Sequence, residues 1–105
     1  MRVLLNVPKT ARKGEAIPIR LLISHPMESG QRRDEMGRLV PRMVINDFRC
    51  TYNGVEVLHL QMFPAVAANP YLAFSARAEA SGTLEFSWVD DSGARQTETA
   101  AVEVS

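Results

Sequence analysis

The 105-residue chain has one cysteine, Cys50, so no disulfide can form within it and the fold must stand on packing alone. Histidine is almost as scarce. His25 and His59 are the only two, and they lie in segments distant from each other and from Cys50, whereas a structural or catalytic metal needs three or four converging donors. They read as a loop histidine and a strand histidine. Charge of one sign is missing as well: 12 Lys and Arg stand against 12 Asp and Glu. A nucleic-acid binder needs a basic excess to displace counterions, so that class is excluded. No window approaches the roughly 18 apolar residues of a membrane-spanning helix. The opening MRVLLNVPKTARKG lacks both the apolar region of about 7 to 15 residues and the small-residue cleavage site of a secretory signal. The expectation is a soluble chain with no export signal of its own.

What is present is alternation. Val3, Leu5 and Val7 alternate, and Pro8 stops the ladder because it has no N–H to donate. Lys9 to Gly14 reads as a basic turn. Ile17, Ile19, Leu21 and Ile23 then alternate with Pro18, Arg20, Leu22 and Ser24, a strand with a clear inner face. Pro18 within it implies an edge strand or a bulge. From Met43 to Met62 two extended runs flank Asn53-Gly54, the strongest short-range hairpin signal, because both residues tolerate the positive φ of a type I′ turn. Counting from that turn pairs Tyr52 with Val55, Cys50 with Val57 and Phe48 with His59. The inner face is then Phe48, Cys50, Tyr52, Val55 and Val57, with Val44 further out. Further strands run from Tyr71 to Ala78, through Leu84, Phe86 and Trp88, and through Ala100, Val102 and Val104. Ser81-Gly82 and Asp90-Asp91-Ser92-Gly93 mark turns. The expected fold is all-β: one domain over residues 1–105, an immunoglobulin-like sandwich of about seven antiparallel strands with Trp88 and Phe48 in its core. A small closed barrel is the alternative.

Two features ask for partners. The outward face of the central hairpin carries Ile45, Leu58, Leu60 and Met62 among Asp47, Arg49, Thr51 and Glu56, more apolar than a wet face should be. These four are candidates for a partner interface. The competing explanation is that a bulge or the long loop covers them within the chain. From His25 to Pro41 periodicity vanishes and charge dominates. The stretch is either a mobile surface loop or a face for a partner or substrate. Its His25, Arg32, Arg33 and Arg38, with Arg42 just beyond, are candidate donors to an anionic cargo or to acidic enzyme surfaces. Glu28, Asp34 and Glu35 offset them, and plain solvated charge is the competing explanation.

Chemistry is sparse. Cys50 lies on the expected inner face between Phe48 and Tyr52, the place of a small buried hydrophobe rather than a thiolate nucleophile. Asp90-Asp91-Ser92-Gly93 lacks the length and terminal Glu of an EF-hand loop. No P-loop, dinucleotide fingerprint or Ser-His-Asp order occurs. An iron-binding sandwich of the superoxide-reductase type needs four histidines and a cysteine, and the histidine count excludes it. No enzyme activity and no cofactor are expected.

Several runs resemble one family. Leu22-Ile23-Ser24-His25-Pro26-Met27-Glu28-Ser29-Gly30-Gln31-Arg32 is similar to the SoxZ family of the sulfur-oxidising Sox pathway. So are Phe48-Arg49-Cys50-Thr51-Tyr52-Asn53-Gly54, Ala67-Ala68-Asn69-Pro70-Tyr71-Leu72 and Ser81-Gly82-Thr83-Leu84-Glu85-Phe86, with Val7-Pro8-Lys9-Thr10-Ala11 and Lys13-Gly14-Glu15 near the start. The likeness spans nearly the whole chain, in order. It implies an immunoglobulin-like subunit, not itself a catalyst, paired with a SoxY-like partner. That partner carries sulfur intermediates on a cysteine in a Gly-rich C-terminal arm during thiosulfate oxidation. It also implies a periplasmic location and export together with the partner. A generic immunoglobulin-like interaction module and a thiol enzyme using Cys50 are the competing classes.

Overall fold

The computed structural model describes residues 3–61 and 68–105. Two sheets face each other. The smaller holds β1 (Val3–Asn6), β3 (Ala16–Ile23) and β6 (Tyr71–Arg77), in the order β1-β3-β6. The larger holds β2 (Thr10–Ala11), β4 (Ile45–Tyr52), β5 (Val55–Gln61), β7 (Gly82–Asp90) and β8 (Arg95–Val104), in the order β2-β8-β7-β4-β5. This is the expected immunoglobulin-like β-sandwich. The strand beyond the expected seven is β2, two residues inside the basic turn that pair in parallel with Glu103 and Val104 of β8.

Alternation delivers the core. Ile17, Ile19, Leu21 and Ile23 of β3 are fully buried, as are Leu84, Phe86 and Trp88 of β7. Phe48 stacks on Trp88 with ring centroids 6.2 Å apart, and Phe74 meets Phe48 edge-on at 6.4 Å from the facing sheet. Such ring pairs add roughly 0.5–1.5 kcal/mol beyond their buried area.

Pro18 does not mark an edge strand, because β3 is the centre of its sheet. Backbone N–H groups alternate sides along a strand. Ile23 donates to Pro70 on the β6 side, so Pro18, an odd number of residues away, points its nitrogen toward β1. Pairing with β1 ends at Arg20. The missing donor falls where no ladder bond is available.

The central hairpin turns at Asn53 and Gly54, both at positive φ, but two bulges alter its faces. The pairing of β4 with β5 shifts between Cys50 and Thr51, so Cys50 faces Leu58 and Phe48 faces Leu60. Val57 is the extra residue. It and Val55 are exposed, at 43% and 67%, instead of lining the core. A second irregularity, between Ile45 and Asp47 against β7, turns Ile45 inward to full burial. One inserted residue reverses every side chain beyond it.

Between β3 and β4 the chain folds back on itself as an arm. Glu28 and Met43 exchange backbone hydrogen bonds, Val40 donates to Arg32 and Asp34 donates to Arg38. Asp34 Oδ1 accepts from the Met36 and Arg38 amides and closes the tip. The radius of gyration is 16.1 Å, against about 13 Å for a compact domain of this length.

Candidate interaction site

Cys50 is sealed. It has no solvent exposure, and burial pushes its thiol up to about 11. The thiolate is the nucleophile, so near neutral pH this sulfur has almost none.

His25, expected on a loop surface, is buried at the root of the arm. Its backbone N–H donates to Asn69 Oδ1 at 3.0 Å, and its carbonyl accepts from the Asn69 amide at 2.7 Å. Its Nδ1 accepts the Met27 amide at 3.0 Å, and its Nε2 lies 3.9 Å from Asp90 Oδ2. Desolvation lowers its pKa, with Asp90 and Asp91 opposing. The Met27 thioether accepts the Ile45 amide at 3.3 Å. On the other leg of the arm, Asp91 takes hydrogen bonds from Asn46, from Arg42 Nε at 2.9 Å and from the Val44 amide at 3.1 Å. These bonds, the Asn46 amide foremost, hold its carboxyl below the usual range. The root of the arm is therefore bolted from both sides. His25 is part of the bolt and offers no donor to solvent.

The arginines are also engaged. Arg32 binds Glu28 at 2.7 Å, Arg38 binds Asp34 at 3.2 Å, and Arg33 donates to the Gly37 carbonyl at 2.8 Å. The exposed apolar groups of the arm are Met36 and Leu39, 77% and 55% exposed near its tip.

The four interface candidates separate. Ile45 is in the core and unavailable to a partner. Leu58 and Leu60 are half-buried against the core. Met62 lies outside the described residues.

The outer faces of the two sheets differ. On the larger sheet His59 bonds Asp47, which also meets Arg49, and Arg49 reaches Glu56. The His59 bond chiefly lowers the Asp47 pKa. The charges at the β4–β5 end of that face are paired with one another, beside the exposed Val57. On the smaller sheet Leu4, Leu22 and Tyr71 stand directly opposite one another across all three strands. They line a shallow groove with Asn6 and Arg20. Sequence reasoning passed over this row, although alternation along β3 already put Leu22 on its outer side.

The fold defines an immunoglobulin-like β-sandwich protein, and its one thiol is sealed in the core. Among the described residues no group of three His, Cys, Asp or Glu side chains could share a metal. The fold is similar to that of a superoxide reductase (neelaredoxin) from Ignicoccus hospitalis, with a TM-score of 0.74 at 14% identity over 100% of this chain and 81% of that one. It is also similar to that of the sulfur carrier protein SoxY from Chlorobium limicola f thiosulfatophilum, with a TM-score of 0.68 at 14% identity over 98% of this chain and 78% of that one. At that identity the likeness is one of fold. No curated protein sequence matches. The family described as sulphur oxidation protein SoxZ matches residues 5–101. The chain belongs to the SoxZ family, and its role lies in sulfur oxidation.

Proposed function

We propose that this chain is the non-catalytic subunit of a heterodimeric sulfur carrier. A SoxY-like partner holds the covalent intermediate on its C-terminal cysteine, and this chain helps present that cargo to the Sox enzymes. The burial of Cys50 carries the proposal, because a thiol with no exposure and a raised pKa is poorly suited to take up sulfur. Family membership favours this role over a generic adhesive module of the same architecture. The pair works in the periplasm and is exported together, and removing the partner's export signal would retain both in the cytoplasm.

The arm meets Sox enzymes through Met36 and Leu39, since its guanidinium groups are engaged within the arm. The test of the pairing is co-expression with the SoxY-like subunit followed by native mass measurement. A one-to-one complex is expected. A chain that stays alone in the presence of that subunit would contradict the proposal.

A further inference from the structure

The outer face of the smaller sheet combines three features. It is apolar at its centre, where Leu4 and Tyr71 are 62% and 58% exposed and flank Leu22. It carries cations without counterions: Arg20 and Arg77 point outward, and neither makes an ion pair among the described residues. None of the outward residues of β1, β3 and β6 is a carboxylate. Acidic and basic residues are equal in number over the whole chain, so this separation is local. On the larger sheet, by contrast, Asp47, Arg49 and Glu56 of β4 and β5 pair with one another.

With strands about 4.8 Å apart and about 3.4 Å per residue, β3 and β6, of 8 and 7 residues, and β1, of 4, make a patch roughly 14 Å wide that runs about 24 Å along β3 and β6 and about 14 Å along β1. That suits the centre of a standard interface of about 800 Å² per partner. A second copy of this chain is the wrong occupant. Packing the face on itself would gather the arginines of both copies around an apolar centre with no carboxylate between them, and like charges there cost affinity.

We infer that this face docks the sulfur-carrier partner, through an apolar surface of that partner whose rim carries carboxylates opposite Arg20 and Arg77. The inference rests on the heterodimer proposed above and assigns its interface. It moves that interface away from Leu58 and Leu60, which are half-covered by their own core.

The test co-expresses the full chain with its affinity-tagged SoxY-like subunit and measures retention and affinity. Leu4→Asp combined with Tyr71→Asp should weaken the pair by at least about 30-fold, the loss of one hot-spot residue. Arg20→Glu with Arg77→Glu should weaken it by about tenfold and flatten its salt dependence. Thr97→Asp, exposed on the other face, should leave it unchanged. Matching thermal unfolding of the free variants establishes that folding is intact, and if the Leu4/Tyr71 variant does not fold the arginine pair decides. Unaltered binding by variants of the smaller sheet, or loss with Thr97→Asp alone, overturns the assignment while leaving the heterodimer standing. A wild-type chain that fails to bind the subunit removes both.

Discussion

His25 Nδ1 accepts the Met27 backbone N–H at 3.0 Å inside the protein. An imidazole nitrogen that accepts is unprotonated, so the ring is neutral and carries its proton on Nε2, toward Asp90. Protonating Nδ1 would strand the Met27 amide and place a charge in a desolvated site, with only partial compensation from Asp90 and Asp91.

A pH dependence follows. The folded pKa of His25 lies below its ordinary value of 6.5. The unfolded chain therefore binds the proton first, and stability is full above about 6.5 and falls as pH drops below it. Denaturant melts from pH 7.5 to 5 should show this loss, and His25→Gln should flatten it. The carboxylates of Asp47, Asp90 and Asp91, all lowered by hydrogen bonds, lose their contributions only below about 4, a separate window. Wild-type stability that stays flat between pH 7 and 5 would refute this role.

The Asn53-Gly54 turn is tied to the neighbouring turn. Asn53 Oδ1 accepts the Thr83 amide at 3.0 Å, and a Cβ on Gly82 would lie 1.7 Å from that oxygen. Gly82→Ala should evict the Asn53 side chain and cost about 0.5–1.5 kcal/mol in urea unfolding, the net value of one hydrogen bond whose freed amide water can reach. An unchanged midpoint would mean that the contact is idle.

The thiol offers a third check. Cys50 in the folded chain should react with a disulfide reagent at pH 8 at least about 100-fold more slowly than in the unfolded chain, because reaction waits on opening. Stoichiometric labelling of the native protein within seconds would contradict its burial.

Much of this was legible in the sequence. Regular alternation placed β3 and β7, and a two-residue turn placed the central hairpin. Counting by twos does not see the bulges at Val57 and Asn46, and so it puts Leu58, Leu60 and Ile45 on the outer face. The arm arginines looked free because their partners, such as Glu28 for Arg32, come together only when the segment folds back. His25 looked exposed because its partners, Asn69 and Asp90, are far along the chain. The row of Leu4, Leu22 and Tyr71 needed the order of the strands, which sequence periodicity does not supply.

The arm tip should matter to enzymes and not to pairing. Met36→Asp with Leu39→Asp should slow thiosulfate-dependent turnover of the reconstituted system by about tenfold or more, the scale of removing one apolar anchor from an interface. The heterodimer and its melting temperature should be unaffected. Unchanged kinetics would remove the tip from enzyme docking.

The central claim is that reactive sulfur is bonded elsewhere. It is tested most directly by intact-mass measurement of both subunits after the wild-type complex has been loaded with thiosulfate by its Sox enzymes. Sulfur adducts on the partner, with this chain at its unmodified mass, are the predicted result. An adduct on Cys50 would contradict it.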